Sequence, residues 1–190
     1  NEVQSKHIKS DLLSFIDVET TGLDAEKHEI IQLACVIAKQ TSRVGKGPEI
    51  SIVEEFELKV APTRLQDAEE EALRINGFNE MEWVFAIDLK NAMEHLAKKA
   101  KGAIMVAHNL TFDAAFIDKA FKTTGVENTM HFQRLDTLSI AFAQHYNKTE
   151  IDKYSLRYLC EMYGIKNERA HTALADTKAL YEVYKKMMNA

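Results

Sequence analysis

The chain has 190 residues, 46% hydrophobic and 28% charged, with 29 acids against 24 bases and a formal net charge of −5. This composition suits one ordinary folded domain; with only 7 Gly and 2 Pro it excludes a disordered, collagenous or linker-rich polymer. No run approaches the ~18 apolar residues of a membrane helix, and the apolar patch 12–16 is closed by Asp17 too early for a signal-peptide core. Cys35 and Cys160 stand far apart in apolar contexts, which fits buried thiols in a reduced, cytoplasmic setting.

A negative chain argues at first sight against a nucleic-acid partner. The imbalance is local, however: from Glu54 to Glu71 there are seven acids and two bases, a balance equal to that of the whole chain. Taken alone, that segment reads as a solvated helix start whose acids favour the helix dipole.

In chain order, 12–18 is a short apolar run closed by Thr-Thr-Gly and reads as a buried strand. A second strand is predicted over 29–39. Gly45-Lys46-Gly47-Pro48 carries turn chemistry, and 52–60 alternates Phe56, Leu58 and Val60 with Glu55, Glu57 and Lys59 as a third strand. Short connections make these three an antiparallel meander.

Helices dominate afterwards. One is expected over 67–75, and a second runs from an Asp88 N-cap to a stop at Gly102. A strand follows over 103–107, a helix over 112–124, and a last strand over 132–135. Helices over 137–146, 155–163 and 172–188 complete the chain. A meander followed by alternating helices and strands is an α/β arrangement, a mixed sheet covered by helices in one domain.

Three groups of residues carry chemistry. Asp17 and Glu19 lie two apart at the end of the first strand, so period-two geometry puts both carboxylates on one face. Two acids in a central strand are costly unless paired, protonated or bound to cations; a strand that has simply ended in solvent explains them equally well. His108-Asn109-Leu110-Thr111-Phe112-Asp113 leads from a strand into a helix, at the sheet edge where open sheets place ligands. There Asp113 alone is explained by the helix dipole. In His171-Thr172-Ala173-Leu174-Ala175-Asp176 the spacing of five does not put both side chains on one helical face. His171 therefore precedes the helix, while Asp176 projects from it toward the sheet.

Together, in this order, these groups resemble the DEDDh (DnaQ-like) 3′–5′ exonucleases, the family that includes DNA polymerase proofreading subunits and exoribonucleases. Its D-x-E-T-T-G motif is matched by Asp17-Val18-Glu19-Thr20-Thr21-Gly22, its H-N-x-x-F-D by His108 to Asp113, and its H-x-A-x-x-D by His171, Ala173 and Asp176. Further similarity runs through 71–77, 136–138 and 155–160, so the resemblance spans about 12–187. It implies a ribonuclease-H-like fold: a mixed five-stranded sheet with the first strand central and helices on both faces, in one exonuclease domain over 1–190 (core about 12–188).

The resemblance also implies roles. Asp17, Glu19, Asp113 and Asp176 are the expected ligands of two divalent cations, and oxygen-only donors select Mg²⁺ or Mn²⁺ over zinc. Asp17, Glu19 and Asp176 would hold the first ion; Asp17 would bridge to the second, which Asp113 reaches directly or through water. His171 is the expected general base. Thr20, Thr21 and Gly22 are expected at the terminal nucleotide's sugar, Phe78 as a wedge between the last two bases, and Asn109 and Phe112 as positioning contacts. For Phe112, and for Phe78, core packing is the competing explanation. The expected activity is release of nucleoside 5′-monophosphates from the 3′ end of single-stranded DNA. The alternatives are an exoribonuclease or oligoribonuclease of the same family and a non-catalytic nucleic-acid-binding subunit on the same fold. A polymerase or other replication or repair protein is the expected protein partner; no membrane association is expected, and the oligomeric state is left open.

Overall fold

The computed structural model describes residues 12–166 and 172–189. Eleven main elements follow one another: β1 (Leu12–Thr20), β2 (Ile30–Arg43), β3 (Lys46–Lys59), α1 (Glu70–Ile75), α2 (Leu89–Lys99), β4 (Ile104–Ala107), α3 (Leu110–Thr124), β5 (Arg134–Asp136), α4 (Thr137–Gln144), α5 (Leu156–Tyr163) and α6 (Ala173–Met187). The strands form one five-stranded sheet in the order β3-β2-β1-β4-β5. The β1–β2 and β2–β3 pairs are antiparallel, while β1–β4 and β4–β5 are parallel. The first strand is central and the sheet mixed, as expected.

Several boundaries differ from the sequence expectation for local reasons. The hairpin between β2 and β3 turns at Val44-Gly45, with Arg43 opposite Lys46 and Gly45 at φ +70°. Gly47 and Pro48 therefore lie inside β3 rather than in the turn. β3 is the edge strand, where a proline's missing N–H is tolerated. The helix expected over 67–75 is divided: Leu65–Asp67 makes a single 3-10 turn, Ala68 is extended, and α1 starts only after Glu69. β5 begins two residues later than expected, leaving Phe132 exposed.

Alternation along β1 builds two cores. Ile16 and Val18 point to one face and pack with Leu33, Cys35 and Ile37 under Ala92, Met93 and Leu96 of α2 and Phe116 and Ile117 of α3. Leu13 and Phe15 point to the other and pack with Val36, Ala38 and Ile50 under Leu180, Tyr181 and Tyr184 of α6. Phe15 sits edge-on to both tyrosines, 5.5 Å from Tyr181 and 5.4 Å from Tyr184 between ring centroids. Behind α6, Ala141 of α4 and Leu159 and Cys160 of α5 meet Ala179, Val183 and Met187 in a third cluster. Helices thus cover both sheet faces. Both cysteines are buried and free, as expected. Among the described residues no helix is long and apolar enough to cross a membrane.

Candidate active site

The face of β1 that packs Leu13 and Phe15 continues through Asp17 and Glu19, and there the apolar cover stops. The first turn of α6 brings Asp176 over these two acids. One carboxylate oxygen from each of Asp17, Glu19 and Asp176 lies within 4.8 Å of the others, and all three residues are half-buried. The solvated strand end left open by sequence alone is thereby corrected: these acids stand together under a helix.

The fourth acid arrives from a different element. Pairing of β1 with β4 ends at Phe15–Val106. Beyond it, Asp113 of α3 takes the place of a strand partner, its Oδ1 accepting the Val18 N–H at 3.1 Å. Asp113 is only 4% exposed. It is therefore more than a surface acid favouring a helix dipole.

Three of the acids gathered this way, Asp17, Glu19 and Asp113, resist ionising. Burial, then the charges of Asp113, Glu19 and Asp176, hold Asp17 well above the usual carboxylate range. Burial, followed by Asp176, Asp113 and Glu57, pushes Glu19 up to about 7. Burial also raises Asp113 to about 7, against the lowering effect of its backbone hydrogen bonds. An all-oxygen donor set that repels its own charge is what a hard divalent cation relieves, so the residues present fit such an ion.

The Thr-Thr-Gly segment closes the site's floor. A register shift between Glu19 and Thr20 marks a β-bulge, which re-aims side chains at a strand end. The Thr20 hydroxyl donates to the Gly22 carbonyl at 2.7 Å, and Thr21 Oγ1 accepts the Glu29 N–H at 2.9 Å. Gly22 is required by close approach: a Cβ there would lie 2.5 Å from the His28 ring. His28 in turn reaches Glu69 at the N-cap of α1, with Nε2 3.1 Å from Oε1. Glu69 N–H donates to the Thr21 carbonyl at 2.8 Å, and Asn76 Nδ2 donates to the Thr20 carbonyl at 2.8 Å. Both ends of α1 are thus fastened to the strand end that carries the acids, and Phe78 follows directly. Phe78 is half-buried against Trp83, with ring centroids 4.9 Å apart.

On the far side, Asn109 adopts a left-handed conformation (φ +63°), which asparagine tolerates better than most residues. Its N–H donates to Asp136 Oδ1 at 3.0 Å. Burial alone would raise the Asp136 carboxyl, but hydrogen bonds from Ser139, Leu110, Leu138 and Asn109 hold it below its ordinary value. Phe112 is half-buried beside Phe116, 5.0 Å between centroids, and packs against the α2–α3 core. Both ring nitrogens of His108 are taken by partners other than the acids: Nε2 donates to the Tyr154 carbonyl at 2.7 Å and Nδ1 meets Thr137 Oγ1 at 2.9 Å. Its desolvation lowers its pKa. His171 lies outside the described residues.

A cleft of about 670 Å³ opens at this end of the molecule, lined by Gln32, Lys59, Asn76, Gly77, Trp83 and Leu174 among others. Lys59 Nζ lies 4.3 Å over the Trp83 ring and 2.8 Å from Glu82. Sequence reasoning missed His28 and Glu69, and it placed Asp136 and Asn76 in segments of family similarity without giving them a role. Asp136-Thr137-Leu138 does carry an N-cap signal, but its reach to Asn109 joins residues far apart in the chain.

Comparisons with known proteins bear on the fold and the family. The family model RNase T, described as exonuclease, matches residues 14–184. DNA polymerase III PolC-type of Caldanaerobacter subterraneus subsp. tengcongensis is 32% identical over 174 residues, covering 90% of this chain and 11% of that protein. The Staphylococcus aureus (strain bovine RF122 / ET3-1) PolC-type polymerase is 29% identical over 172 residues with the same coverage. The chain therefore spans about a tenth of the length of these relatives. Among solved structures, E. coli exonuclease I in complex with a dT13 oligonucleotide superposes with a TM-score of 0.72 at 18% identity, covering 93% of this chain and 40% of that one. Cell-death related nuclease 4 (CRN-4) gives a TM-score of 0.74 at 17% identity, over 94% of this chain and 64% of that one. The sheet, its helical cover and the ordered acids share one explanation: the chain belongs to the RNase T exonuclease family, the DnaQ-like 3′–5′ exonucleases.

Proposed function

We propose that this chain hydrolyses phosphodiester bonds at the 3′ end of single-stranded DNA, releasing nucleoside 5′-monophosphates, with two divalent cations, Mg²⁺ or Mn²⁺, held by its acids. The observation that carries this reading is the convergence of Asp17, Glu19 and Asp176 within 4.8 Å, backed by buried Asp113. Bound divalent cations would supply charge stabilisation for the attacking and leaving oxygens of an in-line displacement.

The chain's own residues do the rest. Asp17, Glu19 and Asp176 are the ligand set for one ion, and Asp17 with Asp113 for the other. Asp113 already gives Oδ1 to the Val18 N–H, which fixes the direction in which its second oxygen points. His171, immediately before the N-cap of α6 in sequence, takes the proton of the attacking water at a ring nitrogen; the ordinary imidazole pKa of ~6.5 suits that task. Thr20, Thr21 and Gly22 offer their backbone to the sugar of the terminal nucleotide. Phe78 separates the last two bases, and Asn109 and Phe112 orient the terminal one. Base–aromatic stacking is worth ~1–3 kcal/mol per base whatever the base, so sequence preference is weak.

DNA is favoured because the polymerase relatives are DNA polymerases and exonuclease I was solved with an oligothymidylate. The same relatives favour a polymerase as the protein partner. The test is digestion of 3′- and 5′-labelled single-stranded DNA, duplex DNA and RNA with Mg²⁺ or Mn²⁺. The 3′ label should leave as mononucleotide at once and the 5′ label as a descending ladder. Asp17→Ala should lose activity on the order of 10³-fold. Cleavage from the 5′ end, activity in chelator, or an active Asp17→Ala overturns the proposal; faster loss of RNA than DNA moves it to the exoribonuclease reading.

A further inference from the structure

Glu57 lies in the acidic segment that the sequence presents as a solvated run. β3 places it on the same sheet face as the catalytic acids. Asp17 is opposite Ala34 and Ala34 is opposite Glu57, so the two carboxylates share one row across three strands, two strand spacings or ~10 Å apart. The residue between them has only a methyl side chain, so the start of α6 passes over the row. Glu57 Oε1 accepts the Leu174 N–H at 3.1 Å. Leu174 is in the first turn of α6, two residues before Asp176, where a backbone N–H has no partner within its own helix. A carboxylate at that end also meets the positive pole of the helix.

One turn of helix is therefore held at two points: its backbone by the edge strand, and its Asp176 carboxylate beside Asp17 and Glu19. We infer that Glu57 is a positioning residue for Asp176, acting through its hydrogen bond to the Leu174 N–H to set the third ligand of the acid cluster. It stands outside the group of three converging acids and lines the cleft beside them; its charge is felt at Glu19, but its one hydrogen bond to α6 goes to a backbone amide. The inference rests on the proposed cation site.

The experiment is calorimetric titration of the intact chain with Mn²⁺, paired with steady-state cleavage of a short oligonucleotide and thermal denaturation without cation. Glu57→Ala should weaken Mn²⁺ binding and lower kcat by about tenfold each, the usual effect of losing an outer partner of a ligand. KM should stay within about twofold. Glu57→Gln keeps an acceptor oxygen and should restore both within about twofold, while Glu57→Asp, one methylene shorter, should behave as the alanine variant. A wild-type Mn²⁺ affinity in Glu57→Ala overturns the inference. So does an equal loss in Glu57→Gln, because charge and not the hydrogen bond would then be acting. Asp176→Ala separates the two levels: if it binds Mn²⁺ normally, the cation site itself is wrong; if it does not and Glu57→Ala does, only the inference falls.

Discussion

Two halves of one strand face, covered by one helix, carry opposite chemistry. Leu13 and Phe15 lie fully buried under Tyr181 and Tyr184 of α6, while Asp17 and Glu19, the next two residues on that face, meet Asp176 at the helix's first turn. The first half lowers its free energy by excluding water and the second raises it by crowding carboxylates. The difference teaches that the apolar half anchors α6 firmly enough for its other end to oppose charges that would otherwise separate.

The two halves should break differently. Phe15→Ala removes a fully buried ring and should cost ~3–5 kcal/mol in denaturant unfolding, with a smaller loss of turnover per folded molecule as the anchor of α6 loosens. Asp17→Asn should do the reverse: activity disappears, and the cation-free melting temperature rises because one member of a self-repelling group no longer ionises.

Gly22→Ala, which drives a methyl group into the His28 ring, should cost ~1–3 kcal/mol and also lower activity, since the same contact helps hold α1 against the site.

A pH series sharpens the comparison further. Glu19 and Asp113 have folded-state values of about 7, above ordinary values of 4.5 and 3.8. The folded state therefore holds more protons than the unfolded chain between those limits. Their stabilising contribution is fully present below about pH 4 and is lost as pH rises through 7. Because His108 contributes in the opposite sense, the test is by difference: across that window the cation-free melting temperature should fall relative to a Glu19→Gln, Asp113→Asn variant, and saturating Mg²⁺ should flatten the difference; no fall relative to that variant contradicts the assignment. The smallest effect belongs to Tyr184→Phe, which loses only the 2.9 Å hydrogen bond to Gln40 and should cost about 1 kcal/mol by the same unfolding measurement.

The four acids were legible through their order and motif context, which resemble a family; by spacing alone Asp17 and Glu19 read equally as a solvated strand end, and Asp113 as an acid favouring a helix dipole. Strand order and helical cover followed from the same resemblance. The less legible parts depend on residues far apart in the chain. Pro48 signals a turn from its neighbours, but its position on an edge strand is decided by pairing. His108 stands in a catalytic motif yet fastens β4 to the loop at Tyr154. Glu57 reads as one charge in an acidic run until β3 and α6 meet. Phe112 remains divided between core and rim, half-buried against Phe116 on the helix that carries Asp113.

The acid cluster draws on the first strand and the last helix, which has a consequence for how the molecule is made. A chain growing from the ribosome presents its amino-terminal residues first, and a domain folds as a unit, so Asp17 and Glu19 have been made well before Asp176 is available to join them. Until α6 docks, Asp17 and Glu19 stand without the third acid that meets them, and the cluster exists only once the strand and the helix are both in place.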